Sequence, residues 1–150
     1  MPSGSPTTFF AVFAQNTTSQ PSNVGRIIDS GPSISINLST NTDQLGIYGG
    51  TNLHSTSTLG LTWHVGAGVY NQGSSELWLD GALEATGSAG SSSGTGTYVI
   101  GSWPGSPGSF GYFQGKLGLA MILQGDSADN PALIKRISES LGFTFCIATY

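Results

Sequence analysis

Charged side chains are scarce in this sequence of 150 residues, because Asp, Glu, Lys and Arg together make up only 8% of it. The four basic residues are Arg26, Lys116, Lys135 and Arg136, and the formal net charge is −4. A nucleic-acid surface needs a basic stripe that neutralises phosphates, and an anionic membrane attracts clustered basic residues. The sequence therefore disfavours both nucleic acid and membrane surfaces as partners.

Cysteine and long apolar runs are also nearly absent. Cys146 is the single cysteine, so an internal disulfide is excluded, and its apolar surroundings predict a small buried core residue. No apolar run approaches the roughly 18 residues of a transmembrane helix, and no basic-then-apolar leader is visible. We therefore expect no membrane insertion and see no signal peptide in this sequence.

Glycine, serine and threonine are abundant, and 37% of the residues are hydrophobic. Disordered chains combine low hydrophobicity with high net charge, which does not describe this sequence. Apolar or alternating segments recur about every ten residues between turn-forming residues, a spacing typical of an all-β sandwich or barrel. Strands are predicted over residues 7–14, 24–30, 33–39, 45–48, 63–70, 77–79, 82–86 and 116–123, with 49–61 left unassigned.

The stretch TWHVGAGVYNQGSSELWLDGALEATG, residues 62–87, predicts three consecutive antiparallel strands. Trp63, Val65, Ala67 and Val69 alternate with His64, Gly66, Gly68 and Tyr70, so one strand face is apolar and the other is mixed. The dipeptide Asp80-Gly81 tolerates positive φ at both centres of a two-residue hairpin turn. These features together predict a β-meander in which Trp63 and Trp78 belong to the core.

Two flanking strands carry further expectations. Residues 7–14 are apolar at both parities, which predicts a central strand covered on both faces. Residues 116–123 alternate strictly, which predicts that Leu117, Leu119, Met121 and Leu123 all point inward.

One helix is predicted near the end of the sequence. Residues 127–131 offer capping side chains and a proline for the first helical position. Leu133, Ile134, Ile137 and Leu141 then fall on one face, and Gly142 is a candidate stop signal. Residues 143–147 would form a last strand.

Residues 62–87, together with 97–101, the strand 113–123 and the final helix, resemble laminin-G-like or concanavalin A-like domains. The resemblance implies an all-β, two-sheet antiparallel jelly-roll sandwich with one short C-terminal helix. Such domains usually carry a strand before residue 7, so its absence here predicts an exposed sheet edge at residues 7–14, open to a partner subunit. The fold hosts many functions, lectins and phage structural proteins among them, so function depends on the site.

The acidic residues of the sequence lack the spacing that a catalytic or metal-binding site requires. Glu76, Asp80 and Glu84 are the acidic cluster, but the alternating carboxylates of laminarinase-like strands are missing and Asp80 is explained by the turn. We therefore expect no enzyme activity. Asp126, Asp129 and Asn130 are weak candidates for calcium, although helix capping already explains the last two. No cofactor is expected, with calcium as the alternative.

Sugar binding requires aromatic rings that stack on pyranose faces, beside amides or hydroxyls that pair with sugar hydroxyls. The sequence offers candidates in the aromatic loop 102–112 and in the central meander. The competing interpretation is that Trp78 is a core residue and that Trp103 only folds its own loop. The candidate glycan contacts are Trp103, Tyr112, Asn71, Gln72 and Trp78.

Three hypotheses for function follow. The first is a non-enzymatic surface module of a virion or similar assembly, of the capsid decoration or tail type. Its partners would be other protein subunits in a homo-oligomer, and it would contact cell-surface glycans as a secondary role. The alternative is a carbohydrate-binding, lectin-type protein, and the third is a glycanase-related fold. The expected location is a virion or an extracellular surface. Residues 1–6 are predicted to be a flexible arm and 7–150 a single sandwich domain.

Overall fold

The computed structural model describes residues 6–18, 20, 24–31, 34–39, 42–92, 97–103, 111–125 and 128–148. These residues form ten strands, one short 3-10 turn at Gln72–Ser74 and one α-helix. The elements are β1 (Thr7–Gln15), β2 (Val24–Asp29), β3 (Ser35–Ser39), β4 (Gln44–Tyr48), β5 (Asn52–Thr58), β6 (Trp63–Tyr70), β7 (Ser75–Leu79), β8 (Ala82–Gly87), β9 (Val99–Ile100), β10 (Gly115–Gln124) and α1 (Pro131–Phe145).

The strands make two five-stranded sheets packed face to face. The first sheet has the order β10-β1-β6-β7-β8 and the second has the order β5-β4-β3-β2-β9, with every neighbouring pair of strands antiparallel. The fold is therefore the jelly-roll-like sandwich that the resemblance implied, and the meander β6-β7-β8 lies within it as predicted. Asp80 and Gly81 have φ of 49° and 84°, as the two-residue hairpin turn requires.

The core between the sheets is lined by one face of each central strand. Phe9, Ala11 and Phe13 of β1 face Ile36, Leu38, Leu45 and Ile47 of the second sheet, all essentially unexposed. The glycine face of β6 also points into this core, because a Cβ on Gly68 would lie 2.3 Å from Cγ2 of Ile47. Glycine at this position lets the two sheets approach closely.

The apolar face of β6 is covered by the helix instead. Phe10, Ala67, Val69, Trp78 and Ile134 form a second buried cluster, against which Met121, Leu123, Ile137 and Leu141 pack. The helix begins as predicted, because the Asn130 side chain accepts a hydrogen bond from Leu133 N and Pro131 occupies the first turn. Within the described residues, no helix combines the length and apolar character needed to cross a membrane.

Strand β1 confirms one expectation and corrects another. All nine of its residues are buried, as predicted for a strand covered on both faces. It pairs with β10 on one side and β6 on the other, so the expected open edge at residues 7–14 is wrong. The edges of this sheet are β10 and β8.

The single inward face predicted for residues 116–123 is also wrong. The register between β1 and β10 shifts between Val12 and Phe13, which places Gly118 as an extra residue in β10. Leu117 then packs between the sheets, whereas Met121 and Leu123 pack against the helix. An irregularity in pairing moves side chains to the opposite face, which alternation alone does not reveal.

The end of the chain also differs from expectation. The helix continues through Gly142 to Phe145, so residues 143–147 are not a strand. Cys146 is exposed, not buried, and caps the helix in the left-handed conformation with φ of 56°. Ile147 N donates to Gly142 O at 2.7 Å, which closes the helix by a Schellman-type bond.

One tryptophan and several connecting segments also differ from expectation or were left open by the sequence. Trp63 is 38% exposed, so it lies outside the core, because α1 covers only part of the first sheet's outer face. The unassigned segment 49–61 contains the edge strand β5. The segment after β8 packs against the start of β5, since Ala89 is unexposed and its carbonyl accepts from Thr51 N. The arm 1–6 lies outside the described residues except for Pro6.

Candidate ligand-binding face

The two outer faces of the sandwich differ in chemistry. Ile34, Ile36 and Leu38 point into the core, so the intervening side chains of β3 lie on the outer face of the second sheet. Cross-strand partners share a face, which extends this surface over β2, β4 and β5. We call this surface the polar face, and its residues are Arg26, Asp29, Ser35, Asn37, Gly46, Tyr48, Asn52 and His54. The first sheet's outer face, by contrast, is apolar and partly covered by α1.

A hydrogen-bonded network around Arg26 organises the polar face. The Arg26 guanidinium donates to the Asp29 carboxylate and, at 3.0 Å, to Ser35 Oγ. The side chain of Asn37 donates to the same hydroxyl at 3.2 Å. The guanidinium carbon lies 6.0 Å from the Tyr48 ring centroid, within reach of a cation–π contact. The Arg26 side chain is 18% exposed and that of Asp29 is 0% exposed, so only the arginine reaches solvent.

Two buried polar atoms of this face lack partners among the described residues. They are Oδ1 of Asp29 and Nδ1 of His54. Burial outweighs the opposing charge and hydrogen bond of Arg26 and raises the pKa of Asp29 to about 6. An unpaired buried polar group costs about 1–3 kcal/mol, so such groups mark places where a ligand can supply the missing bond.

Glycine at position 46 opens the floor of the polar face. A Cβ there would lie 2.9 Å from Nδ1 of His54 and 3.0 Å from Oδ1 of Asn37. Any other residue would displace one of these groups. The imidazole and the carboxamide oxygen therefore converge over a position that has no side chain of its own.

Two of the predicted glycan contacts lie beside this face. Gly111 O accepts from Arg26 N at 3.2 Å, and Tyr112 forms a bridge to Arg26. Trp103 Cβ is 3.3 Å from the position of a Cβ on Gly111. Both aromatic residues are half-buried, and residues 104–110 between them lie outside the described part of the chain. Trp103 and Tyr112 thus flank the β2 side of the polar face.

The other three predicted contacts lie elsewhere. Asn71 and Gln72 belong to the β6–β7 connection of the first sheet, where the Asn71 side chain donates to Asp129 at 2.9 Å. Trp78 is 7% exposed beneath α1, and its indole N–H donates to Glu76 at 2.9 Å. The sequence-predicted set therefore does not form one site.

A cavity lies between β5 and the β7–β8 hairpin, away from the polar face. Its volume is about 270 Å³, and it is lined by Ser57, Thr58, His64, Leu79, Asp80, Ala82 and Glu84. His64 Nδ1 lies 2.7 Å from Asp80 Oδ2, and His64 Nε2 lies 2.7 Å from Leu59 O. Asp80 lies 16 residues from His64 along the chain, so the sequence alone did not reveal it as the partner of the histidine.

The three acidic residues considered for catalysis, Glu76, Asp80 and Glu84, all accept hydrogen bonds from other parts of the protein. Glu76 binds the Trp78 indole, Asp80 binds His64 and Val65 N, and Glu84 accepts from both the backbone and the side chains of Thr56 and Ser57. Burial raises the pKa of Glu84, but these hydrogen bonds outweigh it and lower the pKa overall. A glycosidase acid needs a raised pKa, so this arrangement is unsuited to proton donation.

Two of the three calcium candidates, Asp129 and Asn130, already form hydrogen bonds within the protein. Asp129 accepts from Asn71, and Asn130 caps the helix. Asp126 lies outside the described residues. Among the residues that the structure describes, no group of three or more His, Cys, Asp or Glu side chains is placed to hold a metal ion.

Sequence reasoning missed most of the polar face. Its signal was present in SISINLS, where Ser35 and Asn37 alternate with the apolar residues, and in Gly46 and Tyr48 of the next strand. The Arg26–Asp29 pair was harder to foresee, because a register shift between Arg26 and Ile28 brings both side chains to one face.

Solved structures share this fold. A "putative carbohydrate binding protein" from Bacteroides ovatus is 19% identical over 79% of this chain, with a TM-score of 0.65. A heptameric SAP-like pentraxin from Limulus polyphemus is 16% identical over 78% of this chain, with a TM-score of 0.62. The CBM40 of a Ruminococcus gnavus IT-sialidase is 10% identical over 91% of this chain and 84% of its own, with a TM-score of 0.62. The same CBM40 bound to α2,3-sialyllactose is 10% identical over 89% of this chain and 83% of its own, with a TM-score of 0.55.

These likenesses have limits in extent and identity. The chain spans 37% of the Bacteroides ovatus protein and 63% of the pentraxin. No protein-family model matches the chain, and no curated protein matches it in sequence. At identities below 20% the likeness shows the fold alone: this chain is a jelly-roll-like β-sandwich similar to carbohydrate-binding modules and pentraxins.

Proposed function

We propose that this chain is a non-enzymatic carbohydrate-binding module and that the polar face of the second sheet binds the glycan. The observation that carries the proposal is the pair of buried polar atoms without partners, Asp29 Oδ1 and His54 Nδ1, on a face that also presents Arg26 and Asn37. Sugar hydroxyls both donate and accept hydrogen bonds, so they can satisfy a carboxylate, an imidazole and an amide together.

The aromatic residues beside this face support the proposal. Trp103 and Tyr112 flank Arg26, and Tyr48 lies on the face itself. Rings beside hydrogen-bonding groups are what pyranose recognition requires. Similarity to a CBM40 described as bound to sialyllactose adds support at the level of fold.

The virion hypothesis loses its main structural argument. An open edge at residues 7–14 was one of its supports, beside the low charge and the family resemblance, and that strand is paired on both sides. Display on a virion or extracellular surface, with other subunits as partners, stays a prediction. One observation still favours self-assembly: a pentraxin of similar fold is described as heptameric.

The test is binding of the folded protein to a broad glycan array with multivalent display, so that weak single sites register. We expect coherent binding to one sugar class, lost in His54→Ala and Trp103→Ala without a lower melting temperature. Gln72→Ala, an exposed residue of the β6–β7 connection, is the matched control and should bind as wild type. Full binding by His54→Ala would remove the polar face as the site, and a blank array from folded protein would remove carbohydrate binding.

A further inference from the structure

The charge of the polar face distinguishes between classes of glycan. Arg26 is the only lysine or arginine in the second sheet, since Lys116 lies in β10 and Lys135 and Arg136 lie in α1. An acidic sugar that docks on this face therefore has one guanidinium available as a counter-ion. Whether the carboxylate of an acidic sugar can bind Arg26 therefore depends on what the guanidinium already binds.

Arg26 is held by a carboxylate from inside the protein. Its guanidinium donates to Asp29, whose side chain is 0% exposed, and to Ser35 Oγ at 3.0 Å. Because Asp29 is buried, water cannot screen its charge well, and it cannot swing away to make room. A ligand carboxylate would compete with Asp29 for one guanidinium and would be repelled by it.

The groups around Asp29 do not change this balance. Arg26 is the cation beside it on β2, and Tyr70 of β6, whose hydroxyl donates to Ser35 O, is the titratable group nearby from the opposite sheet. Burial keeps the pKa of Tyr70 well above its usual value, so that phenol stays neutral. The pair Arg26–Asp29 is thus close to charge-neutral as a unit.

On the basis of the proposed function, we infer that the polar face selects neutral glycans, through their hydroxyl groups, and discriminates against sialylated ones, because Asp29 occupies the Arg26 guanidinium. This specificity would differ from that of the structurally similar CBM40 described with α2,3-sialyllactose.

The experiment compares neutral oligosaccharides with their α2,3-sialylated counterparts at pH 7.5, lactose and α2,3-sialyllactose among them. We expect the neutral member of each bound pair to bind about tenfold more tightly, as expected for one charge-assisted bond gained or lost. Equal or stronger binding of the sialylated members would overturn the inference while leaving carbohydrate binding intact. Absence of binding to either member would overturn both.

The variant Asp29→Asn tests the cause. Removing the carboxylate frees the guanidinium, so we expect the preference for neutral members to fall about tenfold toward parity. Glu139→Gln, a remote carboxylate on α1, is the matched control and should leave the preference unchanged. An unchanged preference in folded Asp29→Asn would overturn the inference.

A second measurement has a wild-type arm that does not depend on the folding of that variant. At pH 5 the Asp29 carboxyl of the wild type is largely protonated, because its pKa is about 6. A sugar carboxylate stays ionised there, with a pKa of roughly 3.5 as for free α-carboxyls. Binding of sialylated members should therefore rise relative to neutral ones between pH 7.5 and pH 5 in the wild type and not in folded Asp29→Asn. A ratio that does not change in the wild type, or an equal rise in Asp29→Asn, which would point to His54 on the same face, would contradict the inference.

Discussion

Three ionisable side chains have shifted pKa values for different reasons. Asp29 pairs with Arg26 in the same strand, whereas His64 and Glu84 contact residues 16 or more positions away along the chain. The directions differ because the surroundings differ. Burial is the largest single influence at all three groups. At Asp29 it prevails over Arg26, at His64 it is outweighed by Asp80, the Leu59 carbonyl and Asp43 together, and at Glu84 it is outweighed by the hydrogen bonds from Thr56 and Ser57.

The histidine at the cavity should make stability depend on pH. Burial opposes protonation of His64, but the hydrogen bond and charge of Asp80, the Leu59 carbonyl and the charge of Asp43 raise its pKa above 6.5. The folded state then holds the proton more tightly than the unfolded state. This contribution is fully present below pH 6.5 and is lost as pH rises through the folded-state pKa.

Urea denaturation between pH 6 and 9 measures this effect. We expect the free energy of unfolding to fall with pH in the wild type and in His54→Gln, and to fall less in His64→Gln, where the end of the Asp29 titration just above pH 6 remains. A fall of the same size in His64→Gln would show that another group is responsible.

The buried aspartate should produce a separate pH dependence at lower pH. Its pKa is 3.8 as a free group and about 6 in the folded protein, so the folded state binds more protons in that interval. The free energy of unfolding should fall by up to about 3 kcal/mol as pH rises from 4 to 6. Comparison with Asp29→Asn isolates the effect, and parallel pH profiles for the two proteins would contradict it.

At the scale of elements, β6 shows how side-chain size orients a strand. Its apolar face was expected to be the core side, and it is buried, but against the helix. The glycine face lies between the sheets, where Gly66 and Gly68 leave space for Leu45 and Ile47. Two sheets can pack closely only where one of them presents very small residues.

Substitution of one glycine tests this packing. In Gly68→Ala the new methyl would meet Cγ2 of Ile47, which is itself unexposed and cannot move aside. We expect a loss of about 1–3 kcal/mol in the free energy of unfolding. Gly73→Ala is the matched control, because nothing lies within 4 Å of a Cβ there. Equal stability of the two variants would be inconsistent with the close approach of β6 and β4.

At the scale of the whole molecule, the two outer faces differ in chemistry. The first sheet's outer face is apolar and partly covered by α1, and the second sheet's outer face carries Arg26, Asn37 and His54. Glu84 ties the sheets together along one side, because its carboxylate on β8 accepts hydrogen bonds from Thr56 and Ser57 of β5.

Removal of the Glu84 charge should weaken this closure. Glu84→Gln keeps the size of the side chain but loses acceptors for backbone N–H groups, at a cost of about 1 kcal/mol in unfolding free energy. Glu139→Gln on α1 should cost less than about 0.5 kcal/mol, because its contact with Lys135 is 3.8 Å long and half-exposed. Thermal unfolding at pH 7 compares them, and an equal or smaller loss for Glu84→Gln would argue against its role in joining the sheets.

The jelly-roll class came from the family resemblance, whereas most strands, the meander with its Asp80-Gly81 turn and the start of the helix could be predicted from the residues alone. These features follow from alternation, turn chemistry and capping, which act over a few neighbouring residues. The faces of β6 and β10, the exposure of Trp63 and Cys146, and the convergence of Arg26, Asp29 and His54 on one surface became visible in the folded structure. Register shifts, sheet pairing and the extent of helix cover set these outcomes, and all three depend on contacts between residues far apart in the chain.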